Sequence, residues 1–99
     1  MLARLGGEVD MTNAAYVRDE LIASVPNDAL ALVVDLSECR YLDSAAIEVV
    51  FDVSRRLARR RQELRLVVPP SSPLTRVLTL TDVTSVAAVH ETLDAAFGE

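Results

Sequence analysis

Leu30-Ala-Leu-Val-Val-Asp-Leu36 is the stretch whose reading decides the fold. It is apolar apart from Asp35 and is bounded by Pro26-Asn27-Asp28 before it and Ser37-Glu38 after it. A strand with one wet face would alternate apolar and polar residues. A run apolar throughout is buried on both faces, which is the habit of a central strand in a mainly parallel sheet covered by helices on both sides.

The neighbouring segments supply those helices. Upstream, Thr12 or Asn13 can cap an amphipathic helix whose apolar positions Ala14, Val17, Leu21 and Val25 recur near a period of 3.6, and Pro26-Asn27-Asp28 ends it. Residues 2–7 read as a short strand, with Gly6-Gly7 opening a turn toward that helix. Downstream, Ser37 to Arg40 reads as a loop leading to Tyr41-Leu42-Asp43-Ser44. A second helix follows, with a core stripe of Ile47, Val50, Phe51, Ser54, Leu57 and Ala58 and a charged outer face of Glu48, Asp52, Arg55, Arg56 and Arg59. Glu63 to Val68 is a strand ended by Pro69-Pro70. Ser71 or Ser72 caps a short helix carrying Leu74, Val77, Leu78 and Leu80, Ser85 to Val89 is a last strand, and Glu91 to Phe97 a last helix. The order is β-α-β-α-β-α-β-α within one domain spanning 1–99, the size of a single ordinary core.

Composition narrows the function classes. Of the 99 residues 51% are hydrophobic and 25% charged, which excludes a disordered chain. The net charge of −5 opposes nucleic acid and anionic membranes, so no direct nucleic-acid partner and no membrane insertion are expected. The only basic cluster, Arg55-Arg56 with Arg59-Arg60-Arg61, reads as a solvated helix face, because acidic residues precede it and no aromatic platform accompanies it. One Cys and one His leave no disulfide and no common metal-ligand cluster, so no cofactor is expected and a reducing, cytoplasmic setting fits. The same scarcity argues against an enzyme, since a nucleophile, base and orienter are hard to assemble. His90 reads as a surface or capping residue. Cys39, with Arg40 beside it, is expected in a loop where the cation would lower the thiol pKa.

Asp43-Ser44 is the most informative pair. Asp or Ser at this point accepts hydrogen bonds from the first helical turn and contributes about 1 kcal/mol as an N-cap. A Ser hydroxyl there is also exposed. A phosphate on it would meet the positive end of the helix dipole while adding roughly −1.5 to −2 charges beside Asp43 and one turn from Glu48. Such a modification would alter a recognition surface without unfolding the domain.

Three motifs carry a family resemblance: Leu5-Gly6-Gly7-Glu8-Val9-Asp10, Leu32-Val33-Val34-Asp35-Leu36-Ser37 and Tyr41-Leu42-Asp43-Ser44-Ala45-Ala46-Ile47. With the later pattern of Leu64 to Val68 and Pro73-Leu74 through Val83, the chain resembles the STAS family over nearly its whole length, and within it the stand-alone bacterial anti-sigma factor antagonists. The resemblance implies a single α/β STAS-like domain with a mixed, mainly parallel sheet packed by about four helices. It also implies partner switching in transcription regulation. The unphosphorylated protein binds an anti-sigma factor that is also a Ser/Thr protein kinase and so releases sigma factor, phosphorylation of Ser44 breaks that complex, and a phosphatase resets it. Asp10, Thr12 and Asn13 match the family's loop beside the acceptor and would share the partner surface with Asp43, Ile47 and Glu48. A second role implied by the same resemblance is a small STAS subunit that binds the ATPase of a bacterial lipid ABC transporter.

Where the family carries Ser or Thr followed by Gly after the acceptor, this chain has Ala45-Ala46, a stiffer helix start by about 0.8–1 kcal/mol at the Gly position. The first strand here corresponds to the family's second. The family's first edge strand has no counterpart in the motifs, and an open sheet edge invites pairing with a second copy of the chain.

Overall fold

A computed structural model describes residues 1–98. Four strands, β1 (Leu2–Val9), β2 (Ala31–Leu42), β3 (Glu63–Val67) and β4 (Ala88–His90), form one sheet in the order β1-β2-β3-β4, and every neighbouring pair is parallel. Helices α1 (Ala14–Ser24), α2 (Ser44–Arg59), α3 (Leu74–Leu80) and α4 (Leu93–Phe97) connect and follow them, with a 3-10 turn at Val83–Ser85. The sheet is therefore wholly parallel and the element order is the one expected. All six residues from Ala31 to Leu36 are buried, as the apolar run predicts, whereas Leu30, read as the first residue of that run, precedes β2 and is 82% exposed.

The two sides of the sheet are covered unequally. Leu32, Val34, Leu36, Leu64 and Leu66 point into the main core, where they meet α1, α2 and α3 through Leu21, Val53, Leu57, Leu74 and Leu78. Val33 and Val67 point the other way, into a small cluster with Ala96 of α4, flanked by Leu2 and Leu93. Val53 and Leu57 are fully buried, each contributing about 1.5–3 kcal/mol of apolar burial.

Several boundaries differ from the sequence reading, each for a local reason. Gly6-Gly7 is not a turn. The strand runs through both, and Gly7 takes a left-handed φ of 72° that glycine alone adopts without strain. Ser37 to Arg40 is not a loop either, because β2 continues to Leu42. Leu2–Val9 lies opposite Val33–Leu42, and the two extra residues on β2 are absorbed at irregularities opposite Arg4/Gly6 and Gly7/Glu8. At the first of these the Asp35 carboxylate accepts from both the Ser37 amide (2.9 Å) and the Ser37 hydroxyl (2.7 Å), a local turn that competes with the ladder.

Cys39 is correspondingly a buried strand residue whose thiol donates to the Tyr41 carbonyl at 3.6 Å. Burial pushes its pKa up, the opposite of the expected effect of Arg40. In α2 the buried stripe is Ala46, Ile47, Val49, Val53 and Leu57. Val50, Phe51 and Ser54 lie at its margin and Ala58 is exposed, a rotation of the expected face. Helix α1 is less amphipathic than expected, since Ala15, Tyr16 and Ala23 face solvent opposite buried Ala14 and Leu21. The last strand is shorter and later than expected, because Val83–Ser85 winds into the 3-10 turn.

The end of α2 shows how the chain is pinned at the N-terminal end of the strands. The Arg61 amide donates to Ala58 O (3.0 Å) and the Gln62 amide to Leu57 O (2.8 Å), with Arg61 itself left-handed at φ 59°. That is a Schellman termination with Arg where Gly is usual. It delivers Gln62, 5% exposed, beneath the α1–β2 loop, where its amide nitrogen donates to the carbonyls of Pro26 and Ala29, both at 2.8 Å. Arg60 reinforces the same loop through Val25 O (2.9 Å) and Asn27 Oδ1 (3.2 Å). Two members of the arginine run are thus structural.

Candidate functional site

The C-terminal ends of β1 and β2 lie side by side, and the candidate residues gather there. The Asp43 amide donates to Val9 O at 3.3 Å, fixing the start of α2 beside the end of β1. The Asp43 carboxylate then divides its oxygens. Oδ1 accepts from the Ala46 amide at 3.0 Å, the expected N-cap, and Oδ2 accepts from the Met11 amide at 3.0 Å. One side chain therefore caps α2 and ties the β1–α1 loop to it. The spacing of Asp43 and Ala46 signalled the first bond. Nothing in the sequence signalled the second, which joins residues 32 apart.

The loop itself is held by its own polar residues. Asp10 Oδ1 accepts from the Thr12 hydroxyl and from the Thr12 amide (2.9 Å). The Thr12 hydroxyl and then its amide, joined by the Asn13 amide, hold the Asp10 carboxyl below the usual aspartate range against a smaller effect of burial. Asn13 stands at the N-cap position of α1 without capping it. Its amide group turns back instead, accepting from the Asp10 amide at 3.0 Å and donating to Glu8 O at 3.0 Å. The expected cap is replaced by a latch that closes the loop on the strand it left.

Ser44 is the first residue of α2 and is exposed, as is Glu48 one turn on. Thr12 and Met11 are exposed across the loop, Met11 at 79%. Ile47 departs from expectation: at 7% exposed it packs in the main core, so it orients α2 and offers little to a partner. Asp10, Thr12, Asn13, Asp43, Ser44 and Glu48 are brought together at one end of the sheet.

Beyond them an open groove of about 430 Å³ runs between α1 and α2, lined among others by Met11, Ala14, Arg18, Ala45, Glu48 and Asp52. Sequence reasoning missed this feature and the role of Arg18. Asp52 receives Arg55 and Arg56, both at 3.5 Å, as the helical spacing predicts, and also Arg18 from α1 at 4.0 Å. Such partly exposed pairs contribute little stability, about 0–1 kcal/mol each. They leave the groove with charges of both signs beside apolar Met11 and the alanines.

Asp35, also part of the motif pattern, lies away from this end. Burial raises its pKa, but the Ser37 hydroxyl and amide and Arg4, 3.5 Å away, outweigh that and hold it low. His90 is a strand residue whose carbonyl accepts from the Val68 amide at 2.8 Å. Among the described residues no helix is long and apolar enough to cross a membrane.

The arrangement has known parallels. The chain is similar to an anti-sigma factor antagonist from Mycobacterium paratuberculosis, at 27% identity and a TM-score of 0.82, over 96% of this chain and 80% of that one. It shares its fold with the anti-sigma factor antagonist SpoIIAA in its unphosphorylated form, at 16% identity and a TM-score of 0.69 over 95% of this chain and 81% of that one. It shares it equally with a sulfate transporter family protein from Wolinella succinogenes, at 12% identity and a TM-score of 0.75 over 96% and 79%. The family model described as STAS domain matches residues 1–96, and the chain belongs to the STAS domain family.

Proposed function

We propose that this protein is a non-enzymatic anti-sigma factor antagonist: it binds an anti-sigma factor with Ser/Thr kinase activity, frees sigma factor, and is switched off by phosphorylation of Ser44. The observation that carries this reading is the position of Ser44. Its hydroxyl is exposed on the first residue of α2, while the neighbouring Asp43 already fills the capping role with both oxygens engaged. Ser44 is therefore free for another use. Its surroundings, with Asp10, Asp43 and Glu48, are acidic, so a phosphate would concentrate negative charge on the surface offered to a partner. Docking against that surface would leave interfacial charge unpaired and cost about 2–5 kcal/mol. The 27% identical relative described as an anti-sigma factor antagonist supports the same role.

The groove between α1 and α2 extends the surface from the Ser44 end, and its mixed charges suit a partner segment presenting both signs around an apolar centre. The test is affinity for the anti-sigma kinase encoded by the host. Ser44→Ala should bind as the unmodified protein does and accept no phosphate, whereas Ser44→Glu should bind at least about tenfold more weakly. Equal affinity of the two variants would sink the switch. Recovery of a transporter ATPase by both would assign the domain to the transporter role instead.

A further inference from the structure

We infer that the groove between α1 and α2 seats an amphipathic helix of the anti-sigma kinase, one that brings an acidic side chain to Arg55 and a basic side chain, two turns away, to Glu48. The identity of that partner rests on the function proposed above, whereas the form and charge pattern of its docking segment come from the groove itself. Beside these two charges the groove, about 430 Å³, is lined by Met11, Ala14, Ala15, Ala45 and Val49. Three of these five are alanines, so a second helix can come close to α1 and α2 before side chains meet. Met11, 79% exposed, is an adaptable apolar side chain that such a helix would cover.

Both charges are available. None of the ion pairs among the described residues engages Glu48, which is exposed. At the other end Asp52 is shared by Arg18 (4.0 Å), Arg55 (3.5 Å) and Arg56 (3.5 Å), so Arg55, whose side chain is 62% exposed, is only partly matched. Their spacing selects a helix. Glu48 and Arg55 lie seven residues apart on α2, which is two turns and about 10.5 Å along one side of it. A helix laid along the groove repeats its own face at the same interval. One acidic and one basic residue seven positions apart then meet both charges, with apolar residues at the third and fourth positions between them resting over the alanines. An extended segment does not fit. Its side chains recur on one face every two residues, about 6.8 Å, and a pair three residues apart, spanning about 10 Å, points to opposite faces.

Affinity of the full chain for the anti-sigma kinase encoded by the host tests this. Ala15→Trp fills the groove from an exposed position and should weaken binding at least about tenfold. Glu20→Trp, exposed on α1 outside the groove, should bind as the wild type does, with circular dichroism showing that both variants are folded. A photo-cross-linking residue in place of Ala15 should capture a segment of the kinase that carries an acidic and a basic residue seven positions apart. Arg55→Glu should bind about tenfold more weakly and recover when the acidic residue of that segment is reversed to Arg. Full binding by Ala15→Trp, capture of a second copy of this chain or of a segment without the charge pair, or no recovery on reversal would each overturn the inference. If Ser44→Glu still weakens binding in that case, the proposed function stands and the groove assignment alone falls. A wild-type chain with no affinity for the kinase would overturn both.

Discussion

The two ends of the sheet solve the same problem with different chemistry. At the N-terminal end of the strands, the α1–β2 loop is fastened by Gln62, an amide buried to 5% exposure, together with Arg60. At the C-terminal end, the β1–α1 loop is fastened by Asp10, Asn13 and Asp43, of which none is buried. A buried amide makes hydrogen bonds that water cannot contest, so the first end is a clamp. Exposed or half-exposed carboxylates hold backbone geometry while remaining in contact with solvent, so the second end is ordered and still available for recognition. The site is where the fold can carry charge on its surface without losing its shape.

The sharpest way to break this contrast is to put a carboxylate at the clamp. Gln62→Glu removes the donor to Pro26 O and Ala29 O and sets a negative group against those carbonyls, which should cost about 3 kcal/mol or more at neutral pH, measured by urea denaturation. Burial among carbonyls would raise the new group's folded pKa above the ordinary glutamate value of about 4.3. The penalty is then present above that raised value and relieved as pH falls through it, so the variant should gain relative stability in mild acid.

Asp43→Ala strikes the other end. It removes the cap of α2 and the tie to Met11 together, and should cost about 1–2 kcal/mol while also weakening partner binding, whereas Gln62 variants that fold should bind normally. Comparing the two losses in one binding assay separates loosened recognition from lost stability. Arg61→Gly should act in the opposite direction. It places glycine at a left-handed position that already has its Schellman bonds and should stabilise the chain by about 0.5–1 kcal/mol, read as a higher urea midpoint.

The smallest effect is the most diagnostic of the comparison. The folded pKa of Asp10 is lowered, so the contribution of its bonds to Thr12 is complete above the ordinary aspartate value near 3.9 and is lost as pH falls below that through the folded value. Amide hydrogen exchange should therefore accelerate at residues 11–13 in acid before it does at residues 26–29, where the bonds come from the Gln62 side-chain amide, which carries no acidic or basic group. Simultaneous loss of protection would show that the two ends are one cooperative unit.

How far each feature was legible depends on the range of the interactions that make it. The apolar run at Leu30–Leu36 announced a strand buried on two faces from Ala31 onward, and the cap at Asp43 follows from a spacing of three residues. The cap expected at Thr12 or Asn13 was misread because the Asn13 side chain turns back to the Asp10 amide and to the carbonyl of Glu8 in the preceding strand. The extent of β2 was misread because Asp35 and Ser37 look like loop chemistry, and inside a paired strand that chemistry makes a bulge. The stripe of α2 rotated because a sheet of fixed twist, rather than the helix alone, selects which side is buried.

The sequence by itself determined the order of elements, the parallel α/β architecture and the placement of Asp43-Ser44 at the start of a helix, since hydrophobic period, turn residues and capping act over a few residues. Only the tertiary structure decided that Asp43 also holds Met11, that Ile47 is core, that Arg18 joins Asp52 and that Gln62 is a clamp. Each of those joins residues distant in the chain. Their meeting depends on strand register and helix packing, which no local pattern encodes.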